Sequence, residues 1–353
     1  MITRRSKVQG LVAWLCVILL LIQSPYILLE AAAQSFVLKE IEIIRSIPPE
    51  PPQAGIAMPW QHPPGSDPGA NVSAGNKLTE APIVSWAARG GMKVSMSLFH
   101  NSQSSENTVL GPKWRHSYQI SLTSQLDGYA LTWGNGASYD FSETSPGHYS
   151  PPAGIHDSLV RNADSTFTLT TAEQVRYHFD SSLRCDSIMD LNGNTISLHY
   201  IGSNVDRITD PTGRALELIY AGGKISEVRD MLGRVWQIDY DGASGNLTSL
   251  THPLLADQVY ATTFTYNAQN NITSLQTPRN SVWRFAYFDN SGALSWEEDP
   301  LGNRTTYAYS SDSVAVTDPN GNVSRTFYSQ GRVTQVQDAL LNSEFYQLSL
   351  IHI

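Results

Sequence analysis

Asp210-Pro-Thr-Gly-Arg-Ala-Leu-Glu-Leu-Ile-Tyr220-Ala-Gly-Gly-Lys224-Ile-Ser-Glu-Val-Arg-Asp230-Met-Leu-Gly-Arg234 is the stretch that decides the fold. It contains one complete unit and the opening of the next, about twenty residues on, and a fixed period of that size is the mark of a repeat array. Other units open at Asp190, Asp299 and Asp318, each as Asp-x-x-Gly-Asn, with degenerate openings near His252 and Thr277. Those two lack both the Asp and the Gly. The opening is turn chemistry, because Asp bonds its own backbone, Pro presets φ and Gly accepts φ > 0.

A strand follows each opening. Apolar residues alternate at Ile196, Leu198 and Tyr200, at Leu216, Leu218 and Tyr220, at Trp236, Ile238 and Tyr240, and at Trp283, Phe285 and Tyr287, so one face of each strand is buried. A second turn (Gly223-Lys224, Gly245-Asn246, Gly331-Arg332) returns the chain along a shorter strand. There the spacing is three, as in Ile225 and Val228, Leu247 and Leu250, Ile272 and Leu275, and Val333 and Val336, which predicts a bulge or bend. The few apolar side chains of one unit cannot offset the entropy of ordering its backbone. The units must therefore stack and share ladder bonds and core.

The pattern Asp-x-x-Gly-Arg/Asn, apolar-x-apolar-x-Tyr, Gly-x-apolar-x-x-apolar-x-Asp resembles the RHS or YD repeat of bacterial surface and toxin-associated proteins and of teneurins. Upstream, Gly75-Asn76-Lys77, the strand Val94 to Leu98, His100-Asn101-Ser102 and Gly111-Pro-Lys-Trp114 resemble the domain that commonly precedes RHS repeats. That domain usually shows Tyr where His100 stands and Gly-x-Gly-Trp where this chain has Pro112-Lys113 before Trp114. Alternation at Tyr118, Ile120 and Leu122 and at Phe167 and Leu169, with turns at Asp127-Gly128 and Gly134-Asn-Gly136, makes this region β-rich, and it is expected to cap the first repeat. The fold class expected is all-β: a β-rich N-terminal domain followed by stacked two-stranded repeats in a spiralling sheet, a partial shell.

The domains are then 1–33, a signal peptide or membrane anchor; 34–75, a Pro-rich linker; 76–185, the β-rich domain; and 186–353, the repeats. Arg4, Arg5 and Lys7 ahead of the apolar run from Val8 to Leu29, with Ala31-Ala-Ala33 after it, are the features of an export leader that a long h-region also makes a rival anchor. Pro48-Pro-Glu-Pro-Pro52 and Pro63-Pro-Gly-Ser-Asp-Pro68 give the linker its extended character. A formal charge of −9 with no basic run excludes a nucleic-acid surface. With only Cys16, inside the leader, and Cys185, no internal disulfide survives leader cleavage.

No catalytic residue, metal ligand set or cofactor site is nominated. Cys185 has no assigned histidine partner, and His100, His116, His148, His156, His178 and His199 lack close metal-ligand spacing. Each Asp-x-x-Gly loop offers one carboxylate where calcium needs several. Glu297, Glu298 and Asp299 alternate faces and cannot line one cleft, which leaves a solvated strand end. The Tyr and Trp register (Tyr200, Tyr220, Trp236, Tyr240, Trp283, Tyr287, Tyr309, Tyr328) is assigned to core packing rather than sugar stacking, because Leu and Ile hold these positions in sister units. The Asn-x-Ser/Thr sites at Asn71, Asn246, Asn271, Asn303 and Asn322 are not expected to carry glycans in a bacterial chain.

The resemblance implies a non-catalytic exported scaffold, secreted or in the cell envelope, forming part of a polymorphic-toxin shell for cargo delivery and intercellular competition. Its partner would be a C-terminal toxin or cargo absent from this chain, with the membrane touched only through the N-terminal segment. The alternatives are a cell-surface module binding carbohydrate, protein or another envelope component, and a secreted hydrolase. The unit opening at Asp338 loses its glycine and no toxin domain follows Ile353, so the sequence is taken as a truncated product, a split frame or a short orphan scaffold.

Overall fold

The computed structural model describes residues 75–346 except 153, 256, 257, 289, 290, 330 and 331. The expected leader, the expected linker up to residue 74 and the final residues from 347 lie outside the described residues. Apart from a single 3-10 turn at Arg89–Gly91, every regular element among the described residues is a β-strand. No helix there is long and apolar enough to cross a membrane.

A small antiparallel sheet comes first, with Lys93–Asn101 central between Leu78–Ala87 and Trp114–His116. From Ser121 onward one antiparallel meander takes over, each strand pairing with the next through to Ser343–Phe345. Its opening part closes on itself where Ser121 bridges Arg184. The Leu122 amide donates to the Leu183 carbonyl at 2.8 Å and the Cys185 amide to that of Ile120 at 3.1 Å. Phe141, Leu131, Leu159, Leu169, Phe179 and Cys185 fill the barrel this closure creates. The hairpin strands Thr195–Ile201 and Asn204–Thr209, Ala215–Ala221 and Lys224–Arg229, and their successors then extend from the barrel as the repeat array.

Each opening turn is built alike. At Asp210 the Gly213 amide donates to the Asp210 carbonyl at 2.9 Å, and the Asp210 amide to the Arg214 carbonyl at 2.9 Å. One carboxylate oxygen accepts the amides of Thr212 and Arg214, and the other accepts the Arg214 Nε. Gly213 sits at φ 87°, which an L side chain rarely adopts, so glycine is the low-cost choice there. Asn194, Asn303 and Asn322 replace Arg in the same bond to Oδ2.

The returning strand carries the bulge that the three-residue spacing predicts. Tyr220 faces Ile225 while Ile219 faces Glu227, leaving Ser226 unmatched. The same step recurs at Tyr200, Tyr240, Tyr266, Tyr287 and Tyr328. It is absent from the ladder of Arg304–Tyr309 with Ser313–Thr317, where pairing is continuous. In front of each bulge but that at Tyr328 the next unit's tyrosine reaches back: Tyr220 donates its hydroxyl to the Val205 carbonyl and Tyr240 to that of Ile225, both at 2.7 Å. Tyr200, Tyr266, Tyr287 and Tyr309 do likewise to Cys185, Leu247, Ile272 and Leu294. Burial raises these phenols, Tyr220 and Tyr240 among them, so the hydroxyls stay protonated donors.

One opening lies off the position read from the sequence. His252 itself lies inside the long strand Leu247–Leu255 and faces Tyr260 across the ladder, so that unit opens a few residues later, where Leu255 pairs with Gln258. The second turn of this unit, between Tyr266 and Ile272, is at Asn267 and has the bond pattern of an opening turn, with Asn270 at φ 60° in the glycine position. At Thr277 a turn does form, closed by the Asn280 amide on the Thr277 carbonyl, with Asn280 at φ 62°. Asparagine tolerates the left-handed region well enough to replace glycine. In the last unit Leu341 takes that conformation without such help.

Asp210 is 3% exposed whereas Asp318 is partly open to solvent, so one motif should carry two different costs. Asp210→Ala strands buried donors and is expected to lose about 3 kcal/mol in urea unfolding, against about 1 kcal/mol for Asp318→Ala. Tyr240→Phe, which deletes only the hydroxyl, is expected to lose about 1 kcal/mol.

Candidate functional site

The apolar face of the array is occupied by the chain itself. Ala81, Ile83, Val94, Met96, Leu98, Leu110 and Trp114 from the first sheet and its loop form one core with Ile196, Leu198, Leu216, Leu218, Ile225, Trp236 and Ile238 of the repeats. The expected cap on the first repeat is therefore a plug that runs along successive repeats.

Polar anchors mark its path. At one end Trp86 donates its indole N–H to Asp210 at 3.0 Å, and Arg214 donates to the Ala87 carbonyl at 2.7 Å. In the middle the Ile225 amide donates to the Val109 carbonyl at 3.0 Å, and Gly111 packs so close to the Gly245 carbonyl that a Cβ would lie 2.3 Å from it. Beyond that, Trp114 donates to the Tyr266 hydroxyl at 3.0 Å and stacks edge-on against Phe264. The His100 Nε2 reaches the Asn270 carbonyl at 2.9 Å, and Lys113 donates to Asn271 Oδ1 at 2.6 Å. At the other end Ser102 donates to the Gly292 carbonyl, the Leu294 amide to the Gly75 carbonyl, and Lys77 to Glu297 at 2.7 Å.

Electrostatics follow burial. Burial alone would raise the Asp210 carboxyl, but donors from Thr212, Trp86 and Arg214 outweigh it and hold the group below the usual carboxylate range. His100 is driven down to about 3 by burial, with the bond to Asn270 opposing and the Lys113 charge adding to the drop. His116 falls to about 3 through burial and then the neighbouring Arg115. Since the His100 Nε2 faces a carbonyl it carries the proton, which leaves the buried Nδ1 a bare acceptor without a partner.

The other residues weighed from sequence do not gather into one place. His178 pairs with Asp186, and His199 with Asp206, each at 2.6 Å. His148 and His156 lie exposed in the barrel region. Among the described residues no group of three or more His, Cys, Asp or Glu side chains is placed to hold a metal. Cys185 is fully buried, and burial raises its thiol, which removes nucleophilic character. The solvated strand end expected at Glu297 is corrected. Glu297 is 5% exposed and bonded by Lys77 and Tyr307, while Glu298 turns to Arg284 and Arg304, and Asp299 shapes its turn. Asn246 and Asn271 are buried, and Asn303 and Asn322 are tied to Asp299 and Asp318; Asn71 lies outside the described residues.

The plug and the first barrel strands coincide with a known family model. Residues 70–141 match DUF6531, a domain of unknown function. No curated protein matches the chain. Among solved structures, it resembles the Photorhabdus luminescens Tc holotoxin pore at 12% identity and a TM-score of 0.32, over 72% of this chain and 17% of that one. The crystal structure of TcdB2-TccC3 is similar at 10% identity and a TM-score of 0.29, over 74% and 18%. The chain thus spans less than a fifth of either relative's length. The DUF6531 stretch supplies every plug-side anchor named above, from Gly75 to Trp114.

Both buried histidines of this stretch are neutral in the folded chain, whereas an unfolded histidine takes up a proton below pH 6.5. Stability should therefore fall as pH drops from about 6.5 towards 3. Urea midpoints across that range are expected to decline, and His100→Gln, which keeps a donor toward Asn270, is expected to flatten the decline.

Proposed function

We propose that this chain is a non-catalytic scaffold of the RHS/YD-repeat kind, a wall segment of an exported shell that serves toxin or cargo delivery in competition between cells. The observation that carries this reading is the joint that recurs from Tyr200 to Tyr309. Bulge and tyrosine bond repeat there in register, which suits a wall extended by adding similar strips. The plug supports it too, because it fills the apolar face with side chains of the same chain and gives the wall a defined inner lining.

The groups a catalyst would need are committed elsewhere: the tyrosine hydroxyls to carbonyls of the preceding unit, the turn aspartates to their own loops, and Glu297 to Lys77 and Tyr307. The same commitments weigh against a sugar-stacking ladder, since the tyrosine rings are packed against the core. Growth competition between a strain carrying the intact gene and one deleted for it tests the reading. Neighbouring sensitive cells are expected to survive better beside the deletion strain. Unchanged survival, together with specific binding of the purified chain on a glycan array, would move the assignment to a surface-binding module.

A further inference from the structure

Lys77 and Glu297 meet in the interior, between the plug and the array. Their side chains are 9% and 7% exposed, and Lys77 Nζ lies 2.7 Å from Glu297 Oε2. The other carboxyl oxygen accepts the Tyr307 hydroxyl at 2.5 Å. The Phe285 ring, itself buried, stands 4.9 Å from the ammonium. Backbone bonds hold both partners: Asn76 bridges Ala293, the Leu294 amide donates to Gly75, and the Lys77 amide donates to Ser102 Oγ. An amine nucleophile, a carboxyl carbon and a proton donor on the carboxyl oxygen are thus fixed together away from water, the arrangement that acyl transfer requires.

We propose that Lys77 and Glu297 condense to an intramolecular isopeptide bond, with Tyr307 as the catalytic residue that donates to Oε1. In the reacting form the ammonium has passed one proton to Oε2 across the 2.7 Å contact, giving a neutral amine beside a carboxylic acid. Nζ then attacks Cδ, and the negative charge that develops on Oε1 is met by the Tyr307 hydroxyl. A second proton moves from Nζ to Oε2, the Cδ–Oε2 bond breaks and one water leaves. The third proton stays on the amide. One C–N bond forms, one C–O bond breaks, and nothing is oxidised or reduced, so no co-reactant is needed.

The link would join positions 220 residues apart and tie the plug to the array. Cross-links that close long loops restrict the unfolded chain most. The only cysteine among the described residues, Cys185, is unpaired, so this staple would stand where an exported protein commonly uses a disulfide.

Intact-mass measurement of the purified full chain under denaturing conditions tests the proposal. The wild type is expected to weigh one water less than its sequence, whereas Lys77→Arg, which keeps the ion pair but resists acylation, is expected to show its full mass. Trypsin should fail to cut after Lys77, and the peptide map should contain the Lys77 and Glu297 peptides joined. Tyr307→Phe should reduce the linked fraction at least tenfold early after synthesis. Glu297→Gln should yield the same linked peptide with ammonia as the leaving group. Wild-type protein at full mass, cut after Lys77, overturns the proposal and leaves a buried ion pair. A mass deficit that persists in Lys77→Arg overturns it as well.

Discussion

The bond from the tyrosine hydroxyls of Tyr200 to Tyr309 to the carbonyl in front of the previous bulge is the joint on which the array depends. A bulge removes two backbone groups from ladder geometry, and buried groups of that kind need new partners. The tyrosine supplies one. At Cys185, Ile225 and Leu294 the amide of the same residue finds a second partner outside the array's own ladder, in Ile120, Val109 and Gly75. The irregularity in the sheet is therefore what binds repeat to repeat and, at intervals, the array to the segment that lines it.

That lining is polar where it must be. Lys77, Arg115, His100 and His116 are carried into the interior, and each buried charge has an opposite charge or a backbone acceptor. Buried pairs add little net stability compared with apolar packing, but breaking one leaves a stranded charge at a large cost. Such contacts therefore penalise a plug displaced by one strand more than they reward the correct one. The apolar contacts of Trp114, Met96 and Leu98 supply attraction, and the polar ones fix the register.

Local features were legible in the sequence because their causes are local. Period-two alternation announced the strands, Asp-x-x-Gly announced the turns, and the three-residue spacing at Ile225 and Val228 located the bulge. Reading weakens where one residue type does another's work, as at Asn267 to Asn271, a second turn that uses Asn270 in place of glycine. The barrel hairpins at Asn162, Thr171 and Asp180 hid for a similar reason, with Ser165, Gln174 and Leu183 at positive φ. The plug was invisible because its partners lie more than a hundred residues away. Nothing near Lys77 points to Glu297, and nothing near Glu297 tells a strand residue at a wet end from one in the interior.

Barrel closure at Ser121 and Arg184 gives the molecule a polarity in time. With that seam shut, the meander can lengthen only through its far edge, and every new hairpin meets a neighbour already laid down. The lining residues leave the ribosome earlier still, so each strip arrives to find both its template strand and its filling in place. Synthesis and assembly then run in the same direction, as in zipping, and no stage requires a finished array to open and admit its own lining.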